Sequence, residues 1–260
     1  MTVLVVVPTF RTPQNMLDKC VDSILGQTYD DLCLLMIGDG EKPNIRPTDS
    51  RLVVYTTETN RGRYYCDAVA QRATPFEWYS PHDSDDWSEP DRLEDLWRHR
   101  EPGVVWSDHL NHRGASQSRM SFPRATGPLG PTQKRQACHL GLYRINRLHA
   151  TGMYHPDYRV HYDSLHNSLI KMTGPIAYSP NAKYHRVRWA GSMTMRPDIG
   201  LRTLYREAAA QKCRELYRRA YDLYINGRSD EIAGMIQSTI DPVTEEAVEY
   251  EATRLRKELQ

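Results

Sequence analysis

Several features that would fix a function class at once are missing from this 260-residue chain. Its longest apolar runs, Val3 to Val7 and Leu32 to Ile37, are strand-length. A bilayer-spanning helix needs about 20 residues, so no transmembrane segment is expected. The five cysteines, at positions 20, 33, 66, 138 and 213, form no Cys-x-x-Cys pair, and no signal peptide is expected ahead of Thr2-Val3-Leu4. A reducing, cytoplasmic setting is the expectation. Neither charge sign dominates: the formal charge is +1, which points to no polyanionic partner and hence to no nucleic acid. No Gly-x-Gly-x-x-Gly follows the first apolar run, and no Gly-Lys-Ser/Thr occurs anywhere. The backbone cradles of dinucleotide enzymes and P-loop phosphotransferases are therefore lacking.

What the chain does have is His82-Asp83-Ser84-Asp85-Asp86-Trp87, with three carboxylates in four residues. Carboxylates so close repel one another, and a hard divalent ion bound through oxygen relieves that repulsion. Mg²⁺ or Mn²⁺ keeps part of its coordination shell for substrate phosphates, so the implied ligand is a diphosphate compound. Asp-Ser-Asp-Asp before Trp-Ser-Glu-Pro also reads as a solvated turn leading into the helix that starts near Pro90.

The surrounding pattern favours an α/β domain. Val3-Leu4-Val5-Val6-Val7, stopped by Pro8, reads as a strand buried on both faces. The loop Pro8-Thr9-Phe10-Arg11-Thr12-Pro13 then leads to a helix with Met16, Leu17, Cys20, Ile24 and Leu25 at helical spacing. A second strand, Leu32 to Ile37, is broken by Gly38-Asp39-Gly40, and a third covers Leu52 to Tyr55. A helix over 63–73 and a strand over 76–80 lead into the acidic turn. Strands alternating with helices put their loops at one sheet edge, where open α/β folds bind ligands.

Five motifs, in order, carry a resemblance: Val-Val-Pro-Thr-Phe, Ser23-Ile24-Leu25-Gly26-Gln27-Thr28-Tyr29, Ile37-Gly38-Asp39-Gly40, Asn60-x-Gly62, and Asp83-Ser84-Asp85-Asp86-Trp87 with Pro90-Asp91-Arg92-Leu93. Together they resemble family 2 glycosyltransferases of the GT-A fold, over roughly residues 1 to 190. The resemblance implies a mostly parallel, Rossmann-like central sheet flanked by helices. It implies a donor site in which Pro8, Thr9, Phe10 and Arg11 lie by the nucleobase, Asp39 bonds a uracil imide, and Arg61 or Arg63 sits by base and phosphates. Asp85 would face the ribose or the metal and Asp86 would bind the metal directly, with Asp85 also a metal ligand and Asp83 part of the donor site. Where the family more often has two acids, this chain has Gly38-Asp39. Asp39 also fits a plain turn residue, and Arg61 and Arg63 fit solvated helix-entry charges.

Further along, Gly103 to Trp106 reads as a strand with a core Trp106, and Asp108 and His109 stand at its end as candidates to approach an acceptor. Residues 111–136 are rich in Gly, Ser, Pro, Arg and Gln without periodicity, and read as a mobile acceptor-side lid. By the resemblance, Asp163 takes the position of the catalytic base, with Tyr162 where a second acid is common. A carboxylate within hydrogen-bond reach can take the acceptor proton. Asp163 equally fits a cap for the helix starting near Ser164. By the same resemblance His185 is the candidate histidine ligand of the metal, and imidazole suits Mn²⁺, although a lone histidine beside arginines equally fits a surface or structural role. Arg186 and Arg188 are candidates for the diphosphate.

The sequence thus divides into a nucleotide-sugar half (1–110), an acceptor half (111–198) and a helical C-terminal extension (199–260). In the last, Leu201, Leu204, Tyr205, Ala208, Leu216, Tyr217, Ala220, Tyr221 and Tyr224 form one helical stripe, open to a buttress, a homo-oligomer contact, an acceptor platform or a membrane-surface face. The expected activity is metal-dependent sugar transfer from a UDP-sugar to a hydroxyl on protein, lipid or glycan, with inversion. A nucleotidyltransferase acting on a sugar phosphate and an inactive sugar-nucleotide binding module are the alternatives.

Overall fold

The computed structural model describes residues 1–46, 48–121 and 140–260. The apolar run at the amino end forms β1 (Val3–Thr9), and its alternation sorts the core into two sides. Leu4 and Val6 join one cluster with Tyr65, Val69 and Tyr79, whereas Val3, Val5 and Val7 join the other with Leu17, Val21 and Ile24. A strand buried on both faces needs helices on both, and the chain supplies them: α1 (Gln14–Leu25) on one side, α2 (Arg63–Ala73) on the other.

Seven strands make the main sheet. Beside β1 lie β2 (Leu32–Gly38), β3 (Leu52–Thr56) and β4 (Trp78–Pro81), all parallel. After β5 (Trp87–Ser88) and α3 (Arg92–Arg98) come β6 (Val104–Ser107), β7 (His109–Arg113) and β8 (Ser116–Met120). Next are β9 (Leu142–Arg144), α4 (Ile145–His149), α5 (Tyr162–Ile170), β10 (Ala177–Ser179) and β11 (Tyr184–Val187). The sheet order is β10-β6-β9-β4-β1-β2-β3, and β9 runs antiparallel to both of its neighbours. A second sheet of order β5-β11-β7-β8 flanks the acidic turn. This is the mostly parallel, helix-flanked architecture expected of a GT-A domain.

One expectation about the chain fails here. Residues 111–120, read as lid, belong to the β7–β8 hairpin, whose register runs from His109↔Met120 to Arg113↔Ser116. Its faces are mostly polar because it has little core to cover, so hydrophobic alternation gave no signal. The remainder of the expected lid lies outside the described residues, apart from Ser121.

The carboxyl-terminal part is helical: α6 (Leu204–Ile225), α7 (Ile232–Gln237) and α8 (Pro242–Glu258). No described helix is long and apolar enough to cross a membrane. Asp241 caps α8, accepting from the backbone N–H groups of Val243 and Thr244, with Pro242 in the first turn. The helix then returns to α2 and β3: Val248, Ala252 and Leu255 complete the cluster built on Leu4 and Val6. Buried Glu251 accepts from the Tyr55 hydroxyl and from the Glu58 backbone N–H. The stripe on α6 is used only in part. Leu216, Tyr217 and Ala220 pack against α5 and α7, whereas Leu201 and Leu204, 54% and 84% exposed, touch no core.

Candidate active site

A cleft with a cavity volume of about 220 Å³ opens at the carboxyl ends of β1, β2 and β4. It unites Pro8, Thr9, Phe10, Asp39, Arg63, Asp83, Asp85, Asp86 and Asp163, drawn from five segments of the chain. Each is delivered by a strand end or a helix start, the place where open α/β sheets bind ligands.

Asp39 closes the β2 turn and is 3% exposed. Its carboxylate accepts from the backbone N–H groups of Arg61 and Gly62, both at 2.8 Å, and from Asn60 Nδ2 at 2.9 Å. Burial raises its pKa, and those two backbone donors work against the rise. The Asn60-x-Gly62 motif is thereby explained: it wraps a loop around one carboxylate. Gly40 and Gly62 are both at positive φ (+81° and +98°), and a Cβ on Gly40 would fall 2.4 Å from the Asn60 nitrogen. Three donors still leave acceptor capacity on Asp39, so both the turn role and ligand contact are open to it.

The acidic turn is held from several sides. Asp86, 2% exposed, accepts from the Val187 N–H at 2.7 Å and the Tyr184 hydroxyl at 2.8 Å. Burial, then the charge of Asp85, pushes its pKa up to about 8. Asp85 accepts from the Trp189 indole N–H at 2.7 Å. Asp83 pairs with Arg63, whose guanidinium is also bound to the fully buried Asp67 at 3.1 Å. Asp67 in turn accepts from the Tyr79 hydroxyl at 2.5 Å. Thr12 joins the β1 loop to the turn through Ser84, their hydroxyls 2.7 Å apart. A solvated turn would need none of these contacts.

On the far wall, His161 occupies the left-handed region at φ 73° and precedes α5, placing Asp163 in that helix's first turn. Asp163 does not cap the helix; its backbone N–H donates to the Tyr64 hydroxyl, and the residue lines the cleft. A carboxylate in a first helical turn is favoured by the helix dipole.

Three expected site residues lie elsewhere. His185 is outside the cleft: its ring stacks on Trp87 with centroids 3.5 Å apart, Nε2 lies 2.7 Å from Glu89 and Nδ1 2.8 Å from His112. With both nitrogens engaged there, His185 is not assembled with Asp86. The neighbouring Arg186, Val187 and Trp189 reach the cleft instead. Arg61 directs its guanidinium towards the Tyr65 ring at 5.2 Å, and only its backbone serves Asp39. Arg11 is exposed at φ 53°, its guanidinium 4.9 Å from the Phe10 ring and its N–H bound to Glu41. Asp108 and His109 also fall outside the cleft, Asp108 being paired with Arg119 at 2.8 Å. Trp106 is a core residue as expected, its indole donating to the Tyr143 hydroxyl.

Sequence reasoning missed Arg159, Trp189 and Arg206. Arg159 binds Asn60 through its carbonyl and side-chain oxygens at 2.7 and 3.1 Å, across 99 residues of chain. No local pattern announces such a contact.

The donor set suits a hard cation: carboxylate oxygens, with one buried carboxyl whose ionised form is costly without a positive neighbour. Among the described residues no three His, Cys, Asp or Glu side chains are arranged around one point. Two carboxylates, Asp85 and Asp86, remain as candidate ligands, and Mg²⁺-type sites with one or two protein carboxylates take their other ligands from water and substrate phosphates.

A family model described as Glycosyl transferase family 2 matches residues 4–171. No curated protein matches the chain by sequence. Among solved structures, S. aureus TarS residues 1–349 in complex with UDP-GlcNAc superposes with a TM-score of 0.60 at 15% identity, covering 100% of this chain and 90% of that one. The same TarS piece with UDP gives 0.58 at 16% identity, with the same coverage. A longer S. aureus TarS structure gives 0.56 at 20% identity, covering 73% of this chain; the chain spans 37% of its length. At such identities these likenesses establish the fold.

Proposed function

Because the chain belongs to glycosyl transferase family 2, we propose that it moves a sugar from a UDP-sugar to a hydroxyl acceptor, with a divalent metal bound by Asp85 and Asp86. The observation that carries this reading is the convergence of Asp39, Asp83, Asp85, Asp86 and Asp163 on one cleft. The UDP-GlcNAc and UDP complexes of TarS support a uridine diphosphate donor.

In this reading Pro8, Thr9 and Phe10 receive the nucleobase, and Asp39 accepts from its imide. Arg63, fixed by Asp67, and Arg186 offer positive charge to the diphosphate. Mn²⁺ or Mg²⁺, when bound, would neutralise charge on the departing diphosphate. Asp163 accepts the proton of the acceptor hydroxyl as that oxygen attacks the anomeric carbon. Direct displacement by this route inverts the anomeric centre.

The test is a screen of UDP- and GDP-sugars for Mn²⁺-stimulated nucleotide release, followed by anomeric analysis of any product. UDP release that depends on Mn²⁺ is the expected result. A chain that neither binds UDP nor cleaves any sugar nucleotide with metal present would end the proposal.

A further inference from the structure

Between β11 and α6 the chain forms a lip over the cleft. Trp189, Met193, Arg196 and Arg206 line the cleft from this side. Backbone bonds from Leu201 N–H to the Thr194 carbonyl and from Gly200 N–H to the Arg196 carbonyl close the segment on itself. Met193, Met195 and Leu201 therefore sit on one compact loop, with Leu204 and Tyr205 in the helical turn that follows. All five are exposed, and within thirteen positions they make up half of the ten exposed large hydrophobic residues among those described. A concentration of that kind on one edge marks an interaction surface, unlike apolar residues scattered singly.

The charge on the same segment identifies what it meets. Residues 193–206 contain three arginines and one acidic residue, Asp198, in a chain whose formal charge is only +1. Asp198 is bound to Arg196 at 2.6 Å. Arg202, exposed and at φ 72°, has no acidic partner among the described residues, and Arg206 donates to the Ile199 carbonyl at 3.1 Å. Exposed Leu, Met and Tyr interleaved with arginine is the chemistry that inserts apolar side chains at the headgroup boundary while cations meet lipid phosphates.

We propose that the lip formed by residues 193–206 docks on an anionic lipid surface, with Met195, Leu201, Leu204 and Tyr205 entering the interface and Arg202 meeting the headgroups. The mouth of the cleft then faces the membrane plane. On the transferase reading, an acceptor hydroxyl would be offered from that plane; the docking itself does not rest on it.

The experiment is co-sedimentation of the full chain with vesicles of phosphatidylcholine, alone or mixed with phosphatidylglycerol, without sugar donor. Sedimentation velocity is run alongside without vesicles. Binding to the anionic vesicles, weakened by salt and slight on the neutral ones, is expected. The pair Leu201→Ser and Leu204→Ser should lower the partition coefficient about tenfold, and Arg202→Glu at least about fivefold. Circular dichroism and nucleotide release in solution should be unchanged in these variants, since none of the three residues touches the core or the cleft. No binding to anionic vesicles, or binding unaltered by the leucine pair, would overturn the proposal. So would a vesicle-free dimer that the same pair dissolves, which would make a second copy the occupant. Because no donor is present, failure of the transferase assignment would leave this readout intact.

Discussion

The two walls of the cleft are built on different principles. The wall from β1, β2 and β4 carries carboxylates that are mostly buried and each bound within the protein: Asp39 holds the Asn60-x-Gly62 loop, Asp83 holds Arg63, and Asp86 holds Tyr184 and Val187. The wall from the β11–α6 segment carries cations and aromatic edges that are half-exposed, with the charge of Arg186 acting on Asp86 across the cleft. One wall is tied together by internal bonds; on the transferase reading the other would bring its arginines to the ligand. Substitutions in the first should therefore cost both structure and chemistry, and substitutions in the second should cost binding.

The largest effects should fall on the residues proposed to touch the reacting groups. Asp163→Asn keeps the size and the helix start but cannot take a proton, so turnover should drop by about 10²–10⁴ with little change in donor KM. Asp86→Asn, which still accepts one of its two hydrogen bonds, should remove Mn²⁺ stimulation while the protein remains folded. Equal loss of donor affinity and turnover in Asp163→Asn would count against Asp163 as the base and place it among the donor-binding residues.

Next in size is Asp39→Ala. It strands three donors that now converge on one carboxylate, and each unsatisfied buried donor costs about 1–3 kcal/mol before the loop relaxes. A loss of about 2–4 kcal/mol in a urea titration is expected, with a raised donor KM. A variant as stable as the parent would show the first wall to be less pre-formed than its hydrogen bonds imply.

The first wall was also the more legible in sequence, for a physical reason. Val3 to Val7 and Leu32 to Ile37 must be strands because no other element buries every residue of a short aliphatic run so easily. The acidic turn stood out because close carboxylates demand an explanation within the local sequence. His185 misled because its candidacy came from position in the chain; strand pairing with Trp87 sends its ring into the Glu89–His112 cluster. The 111–120 hairpin was invisible because Asn111, His112, Arg113 and Ser116 to Arg119 show no apolar alternation. Arg159 was unreadable because its contact with Asn60 is made by the fold alone.

A smaller effect concerns pH. His166 is completely buried on α5, stacked on Tyr154 with centroids 4.3 Å apart, and neither ring nitrogen has a hydrogen-bond partner among the described residues. Burial pushes its pKa down to about 3. The unfolded chain takes up that proton near pH 6.5, so stability is full above 6.5 and is lost as pH falls towards about 3. By pH 4 the loss from this group should be on the order of 3 kcal/mol. His166→Phe, which keeps the stack, should flatten that part of the slope; an unchanged slope would assign the acid sensitivity to His82 and His155, which burial lowers in the same direction.

The smallest effect sharpens the comparison most, because it sets two leucines of one helix against each other. Leu204 and Leu216 belong to the same sequence stripe, yet Leu204 is 84% exposed and Leu216 is 6% exposed against α5 and α7. Leu216→Ala should cost about 2–4 kcal/mol through lost burial and a residual cavity. Leu204→Ala should change stability by less than about 0.5 kcal/mol, since it removes no packed contact. Thermal melts of the two variants would separate the part of α6 that supports the domain from the part that has kept its apolar side chains free of it. Equal destabilisation would mean that the lip packs on the body of the protein in solution, and its exposed leucines would then need no partner.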